Sequence, residues 1–154
     1  MVRMLLYTYN GGSPVKEPQK KINLQSRKGE KRDYVVMVCN SDVETKQISE
    51  LLLQVNRATL ITYYRLEDLV LNRPNGEVAL FILADGDDIE MLSKMLEWLH
   101  YRWPHSRLAV IGNQGGGEVE ITARKGGAYF LTRPVSRWEW EALLHHLLQN
   151  TTGK

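Results

Sequence analysis

The sequence predicts a three-layer α/β domain in which a doubly wound, five-stranded parallel sheet of order 2-1-3-4-5 carries helices on both faces. Two observations lead to this prediction. Five short apolar runs alternate with five segments of helical periodicity, which is the pattern of successive βα units. The third run, EVALFILA at residues 77–84, is uniformly apolar, as expected for a strand that helices bury on both faces. Right-handed crossovers then place helices on both sides of the sheet.

The first two βα units occupy residues 34–72. Their predicted strands and helices are YVVMVC (34–39), SDVETKQISELLLQV (41–55), ATLITYY (58–64) and RLEDLVLN (65–72). Ser41 and Glu44 have the spacing of a capping box, in which each side chain would bond the other residue's backbone N–H. Helical periodicity predicts one core face, made of Val43, Ile48, Leu51, Leu52 and Val55.

The remaining three units occupy residues 77–149. In order, they are a strand (77–84), a helix (88–103), a strand (106–113), a helix (118–125), a strand (128–132) and a helix (136–149). Ser136 and Glu139 repeat the capping-box spacing at the start of the last helix. The core stripe predicted for this helix is Trp140, Leu143, Leu144 and Leu147.

The charge distribution separates a basic leader from one folded domain. The chain has 154 residues and 43% hydrophobic content, which suits a single core. Residues 1–33 contain eight Lys or Arg and three acids, about +5, whereas the rest carries about −3. Residues 11–33 have the Gly, Pro, Ser and charge content of a flexible linker, and residues 4–9 could form a short strand or an apolar plug. We therefore expect a leader (1–33), a domain (34–149) and a tail (150–154).

The cysteine count and the hydropathy exclude several classes of protein. Cys39 is the single cysteine, so an internal disulfide and a zinc site built from several thiolates are excluded. The chain contains no run of about 18 apolar residues, and its first residues are too polar for a signal peptide. These features predict a soluble, cytoplasmic protein; no metal ion or cofactor is expected.

The last βα unit carries a motif that is similar to a known family. In ARKGGAYFLTRPVSRWEWEALLHHLL, residues 123–148, a helix, a Gly-Ala pair and a strand lead through Arg133 and Pro134 into the last helix. This succession resembles the end of bacterial response-regulator receiver domains of the CheY-like superfamily. The resemblance covers about residues 34–149, and it is topological outside this motif. It implies that Arg133 presents a cation to an active site and that Pro134, often cis in the family, turns the chain into the last helix.

The positions that carry receiver chemistry are altered in this chain. A receiver needs an aspartate that accepts a phosphoryl group, acids that hold Mg²⁺, a hydroxyl and a lysine. An ungapped match puts Ile82 at the acceptor position, with Asp85 a few residues later. The chain has a thiol and an amide where the acids should stand, glycine for the hydroxyl and arginine for the lysine. The degenerate site therefore consists of Cys39, Asn40, Asp85, Gly112, Arg133 and Pro134.

The resemblance implies a pseudo-receiver that is not an enzyme. Such domains act as phosphorylation-independent docking or dimerisation modules in bacterial signalling, bound to a protein partner or fused to an effector domain. Two alternatives stay open. Asp85 could still accept phosphate in a true receiver, and Cys39 could carry phosphate as in the sugar phosphotransferase B domains, which VCNSDVETK (38–46) resembles. Asp42 and Glu44 place negative charge where that phosphate would lie.

Two further groups of residues could bind a ligand. The glycine-rich loop GNQGGGE, residues 112–118, could form an anion nest from its backbone amides, although it lacks the lysine of a P-loop. The four histidines show no metal-binding spacing and are expected at the surface: His100, His105, His145 and His146.

Two helices carry candidate interaction surfaces. In the third helix, the predicted core stripe is Ile89, Leu92, Leu96, Leu99 and Trp103. Met91, Trp98 and Tyr101 are expected roughly opposite that stripe, where they could contact a partner. Receivers often pair through the face made by the fourth helix, fifth strand and fifth helix, which makes Phe130, Arg137 and Trp138 candidates. The basic leader lacks a helix-turn-helix or a stacking platform, so nucleic acid and anionic membrane are not the expected partners.

Overall fold

The computed structural model describes residues 8–9, 33–54, 58–84 and 88–151, and at its centre is a parallel sheet. The strands are β1 (Thr8–Tyr9), β2 (Asp33–Val38), β3 (Ala58–Tyr63), β4 (Leu80–Leu83), β5 (Arg107–Gly112) and β6 (Tyr129–Thr132). Their order across the sheet is β1-β3-β2-β4-β5-β6, with every neighbouring pair parallel. The five strands predicted from the sequence therefore have the predicted order 2-1-3-4-5, and β1 is added beside β3.

In the described ranges four helices connect these strands and a fifth follows β6, as the sequence predicts. They are α1 (Asp42–Leu52), α2 (Leu66–Leu71), α3 (Ile89–Arg102), α4 (Glu118–Lys125) and α5 (Arg137–Thr151). Ser41 and Asp88 cap α1 and α3, because their side chains accept the backbone N–H three residues later. At α5 the predicted capping box forms in full: Ser136 N donates to Glu139 Oε1 (2.8 Å) and Glu139 N donates to Ser136 Oγ (3.2 Å).

Alternate residues of the strands face two separate hydrophobic cores. On one side of the sheet, Val35 and Met37 of β2 pack with α1 and α5. On the other side, Val36 and Val38 pack with α2, α3 and α4. The uniform apolarity of the strands is explained by this three-layer arrangement, since both faces of each central strand are buried. The stripe predicted for α5, from Trp140 to Leu147, is buried in the first core.

The face predicted for α1 is partly wrong. Ile48, Leu51 and Leu52 are buried, whereas Val43 is exposed. Val43 precedes Ile48 by five residues, and at 100° per residue it lies about 140° away around the helix. Thr45 takes the core position instead, and its hydroxyl donates to the backbone oxygen of Ser41 (2.9 Å). Val55 lies outside the described residues.

Two residues of the leader belong to the described structure. Thr8 and Tyr9 form β1, which pairs with Thr62 and Tyr63 at the carboxyl end of β3. Of the two states that the sequence allows for residues 4–9, the described residues show a strand. At the other end of the chain, α5 continues to Thr151, past the predicted boundary at residue 149. None of the helices within the described ranges has the length and hydropathy of a membrane-spanning segment.

Candidate functional site

Arg133 lies at the centre of the candidate site, directly after the last residue of β6. Its backbone N–H donates to Gly112 O (2.8 Å), which continues the β5–β6 ladder by one residue. The Arg133–Pro134 peptide bond is cis, as the resemblance in sequence implies. The side chain therefore starts from the carboxyl edge of the sheet, where ligands bind in doubly wound folds.

The guanidinium of Arg133 is bound by groups from three other parts of the fold. Nε donates to Glu44 Oε2 (2.6 Å) and Nη2 donates to Glu44 Oε1 (3.1 Å), which makes a two-point contact. Nη2 also donates to the backbone oxygen of Ala84 (2.8 Å), and Nη1 donates to Asn113 Oδ1 (3.0 Å). The hydrogen bonds to Glu44 raise the pKa of Arg133 above its ordinary value, despite an opposing effect of burial. Arg133 thus connects β6 with α1 and with the ends of β4 and β5.

Glu44 does not complete the capping box that the sequence predicts for α1. Ser41 Oγ accepts Glu44 N (3.3 Å), but the Glu44 carboxylate is turned toward Arg133. The backbone N–H of Ser41 donates to the sulfur of Cys39 instead (3.3 Å). Sequence reasoning therefore missed Glu44 as a site residue. The sequence does place Glu44 at the start of α1, and therefore at the same edge of the sheet as Arg133, which could have indicated that the two residues meet.

Cys39 is a buried thiol within the same group of residues. Its Sγ donates to Glu44 Oε1 (3.2 Å), and its side chain packs in the core beside α1. Burial raises the pKa of the Cys39 thiol to about 11, and the neighbouring Glu44 carboxylate adds to this rise. The thiol is consequently protonated at neutral pH, the opposite of what a nucleophilic cysteine requires.

The other receiver positions are apolar, exposed or outside the described residues. Ile82 is fully buried in the core, and Asn40 is exposed. Asp85 lies outside the described residues. Within the described ranges, no group of three or more His, Cys, Asp or Glu side chains could hold a metal ion. Cys39 and Asn40 offer a buried thiol and an amide, so the described residues do not fit the Mg²⁺ that the receiver fold implies.

Gly112 stands against the ring of Phe130. A Cβ atom at Gly112 would lie 2.8 Å from Phe130 Cζ and 2.9 Å from its Cε1, which is closer than carbon atoms approach. Phe130 is half-buried and packs against the second core. The ring therefore uses the space that the side chain of a serine or threonine at this position would need.

A cleft borders Arg133 between the start of α3 and the start of α4. It has a volume of about 410 Å³ and is lined by Ile89, Ile111, Gly112, Asn113, Gln114, Gly117, Glu118, Val119 and Arg133. In the glycine-rich loop beside it, Gly116 N donates to Glu120 Oε1 (2.6 Å), and Glu120 Oε2 accepts Arg124 Nε (2.8 Å). Both hydrogen bonds lower the pKa of Glu120, and the bond from Gly116 has the larger effect. The backbone amide of Gly116, part of the predicted anion nest, thus binds the carboxylate of Glu120 from the same domain.

The candidate interaction residues on α3 and α5 fall into two groups by exposure. Tyr101 (84% exposed) and Trp138 (69% exposed) are accessible, and Arg137 is exposed while its Nε donates to Glu141 (3.1 Å). Met91 and Trp98, in contrast, are half-buried against the second core, and Trp98 meets Trp103 edge to face with ring centroids 5.6 Å apart. The expectation that these two lie opposite the core stripe is wrong. They lie about 100° to 120° from Leu92 around the helix, at the flank of a broad core face.

Comparisons with solved structures agree with the fold of the described residues. No protein-family model matches the chain, and no curated protein matches it in sequence. Among solved structures, the receiver domain of an HD domain-containing protein from Pseudomonas fluorescens Pf-5 is similar at 19% identity and a TM-score of 0.66, covering 84% of this chain and 96% of that one. A response regulator from Thermotoga maritima has 15% identity and a TM-score of 0.63, covering 77% and 96%.

A chemotaxis response regulator, CheY4 of Vibrio cholerae, has 13% identity and a TM-score of 0.59 and covers 75% of this chain and 98% of its own. At these identities the likeness concerns the fold. The sheet order and the two helical layers agree with it. The chain therefore has the fold of response-regulator receiver domains.

Proposed function

We propose that the protein is a non-catalytic receiver-like domain that docks to a protein partner, or to a second copy, without being phosphorylated. The observation that carries this proposal is the two-point ion pair between Arg133 and Glu44. In a receiver, the cation after the last strand steadies the phosphoryl oxygens. In this chain the carboxylate of Glu44 already pairs with that cation, Arg133.

A phosphoryl group would have to compete with Glu44 for the Nε and Nη2 donors of Arg133. The ion pair is largely shielded, with side-chain exposures of 26% for Arg133 and 13% for Glu44. A displaced Glu44 carboxylate would remain close to the incoming phosphate, and two like charges at short range oppose each other. The described residues offer no metal site to offset this repulsion. The fixed carboxylate thus supports a domain whose conformation does not depend on phosphorylation.

The Cys39 alternative is opposed by the surroundings of the thiol. A phosphocarrier needs a thiolate, whereas burial and Glu44 keep the Cys39 thiol protonated. The sulfur also accepts Ser41 N and donates to Glu44, so it is held inside the first turn of α1. The Asp85 alternative is decided by experiment, because this residue lies outside the described ranges.

The surface that best fits docking is the outer side of β6 with the adjoining faces of α4 and α5, called here the β6 face. Among the five strands that form the body of the sheet, β6 is the last on its side. Large apolar side chains are exposed on all three elements: Ile121, Tyr129 and Trp138. Tyr129 is oriented by His146, whose Nε2 lies 3.2 Å from the tyrosine hydroxyl. Exposed aromatic residues of this kind are enriched at protein interfaces.

Mass spectrometry after treatment with acetyl phosphate and Mg²⁺ tests the proposal against both alternatives. We expect no phosphorylated residue. Phosphate on Asp85 would show a working receiver, and phosphate on Cys39 would show a phosphocarrier. A receiver of known activity, treated in the same tube, controls for the reagent.

Matched substitutions separate the two candidate surfaces. Trp138→Asp should weaken self-association or partner binding at least tenfold, because the indole is exposed on α5, the helix that contacts β6 through His146 and Tyr129. Tyr101→Asp is the control, since Tyr101 is also highly exposed but lies on α3. Sedimentation velocity measures self-association, and circular dichroism verifies folding. If only Tyr101→Asp abolishes association, the docking surface lies on α3 and not on the β6 face.

A further inference from the structure

The cleft between the starts of α3 and α4 is large enough to hold a small molecule. Its volume of about 410 Å³ lies within the usual range of ligand pockets, roughly 300–1,000 Å³. Ile111 and Gly112, the last residues of β5, line it, so it opens at the carboxyl edge of the sheet. Doubly wound folds bind their ligands at this edge. Docking through the β6 face leaves this space unused.

Aliphatic side chains form the walls of the cleft. Ile111 is buried, whereas Ile89 at the start of α3 and Val119 at the start of α4 are half-buried. Gly112 and Gly117 also line the cleft, and neither has a side chain that would fill it. Aliphatic walls of this kind can pack against the two faces of a planar ring.

Arg133 and Asn113 bring unused N–H donors to the cleft, which both residues line. An arginine side chain has five N–H groups, and four of those of Arg133 are bound, two by Glu44 and one each by Ala84 and Asn113. The fifth, on Nη1, has no acceptor among the described residues. Because arginine only donates, Oδ1 of Asn113 faces it, and the NH₂ group of Asn113 stays available. A ligand that uses these donors must accept hydrogen bonds.

Glu118 brings an acceptor to the same cleft. Its carboxylate is exposed at the start of α4, and it pairs with no cation in the part of the chain that the structure describes. The charge of Arg133, in contrast, is already paired with Glu44. The residues that line the cleft therefore carry an uncompensated negative charge, which repels a phosphate and favours a ligand group that donates hydrogen bonds.

We propose that this cleft binds a guanine base. Guanine accepts hydrogen bonds through O6 and N7, which are the atoms that arginine binds when proteins read DNA. On another edge, N1–H and the N2 amine are adjacent donors that match the two oxygens of the Glu118 carboxylate. Adenine, cytosine and uracil lack two adjacent donors of this kind, so Glu118 selects against them. The proposal goes beyond the proposed function, since docking at the β6 face can fail while the cleft still binds its ligand.

Amide NMR on the ¹⁵N-labelled full chain tests the proposal with four nucleotides. GMP, AMP, CMP and UMP carry the same phosphate, so a difference between them reports on the base. GMP should shift the amide signals of Asn113, Gln114 and Val119 and should bind about tenfold more tightly than AMP. Inorganic phosphate alone should shift none of them. Equal affinity for the four nucleotides, or no shift at these residues, would overturn the proposal.

A pair of matched variants tests the role of the Glu118 carboxylate. Glu118→Gln replaces one acceptor oxygen by an NH₂ group, so it should weaken GMP binding about tenfold and remove the preference over AMP. Glu97→Gln is the control, because Glu97 is an exposed carboxylate on α3 that does not line the cleft. Circular dichroism verifies that both variants are folded. If Glu118→Gln keeps the full preference for GMP, Glu118 does not select the base and the proposal is wrong.

Discussion

The ion pair between Glu44 and Arg133 should contribute to the free energy of unfolding far more than a surface pair does. We expect Glu44→Ala to destabilise the domain by about 2 kcal/mol. Charge-assisted hydrogen bonds contribute roughly 1.5–3 kcal/mol, breaking a fully buried pair costs about 3–5 kcal/mol, and exposed pairs contribute under about 1 kcal/mol. The side-chain exposures of 26% and 13% place this pair between the last two classes.

A double-mutant cycle isolates the interaction itself. Urea unfolding of Glu44→Ala, Arg133→Ala and the double variant should give a coupling energy of about 1–2 kcal/mol. The matched control is the pair of Arg137 and Glu141, which has side-chain exposures of 66% and 50% and should couple by less than about 0.5 kcal/mol. Equal coupling energies in the two cycles would refute the claim that Arg133 is fixed by an internal carboxylate.

Three other substitutions or reactions test separate parts of the site. Gly112→Ala should destabilise the domain by about 1–3 kcal/mol, because its Cβ would overlap the Phe130 ring, whereas Gly115→Ala, whose nearest contacts are at 3.5 Å, is the control in the same urea assay. Alkylation of Cys39 by iodoacetamide should be slow at pH 8 and accelerate toward pH 11, and fast reaction at pH 8 would contradict the raised pKa. Folding raises the pKa of Cys39 from 9.0 to about 11. The protonated thiol therefore contributes to stability below pH 9, and this contribution is lost as the pH rises to 11. Urea unfolding at several pH values measures the loss.

The fold could be predicted from the sequence because each element is encoded locally. Apolar runs with both faces buried indicate parallel strands, and capping signatures such as that of Ser136 and Glu139 mark where helices start. The errors concern side-chain direction. Val43 and Trp98 are both apolar and both helical, and composition alone does not show that the first is exposed while the second lies at the flank of the core.

The central contact of the site could not be predicted in the same way. Glu44 and Arg133 are 89 positions apart, and only the sheet order brings the start of α1 next to the end of β6. The local signal at Glu44 indicated a different role, since Ser41-x-x-Glu44 is also a capping box. The Glu44 carboxylate cannot make full hydrogen bonds to both Ser41 N and Arg133. It bonds Arg133, because hydrogen bonds to a charged partner are stronger.

Amide NMR with Mg²⁺ and beryllofluoride, a mimic of the phosphoryl group on aspartate, tests the central claim most directly. If the internal carboxylate has made the domain independent of phosphorylation, the spectrum should not change when both are added. Shifts that cluster at Gly112, Phe130 and Arg133 would contradict this account, because they would show that a phosphoryl mimic reaches the cation and displaces Glu44.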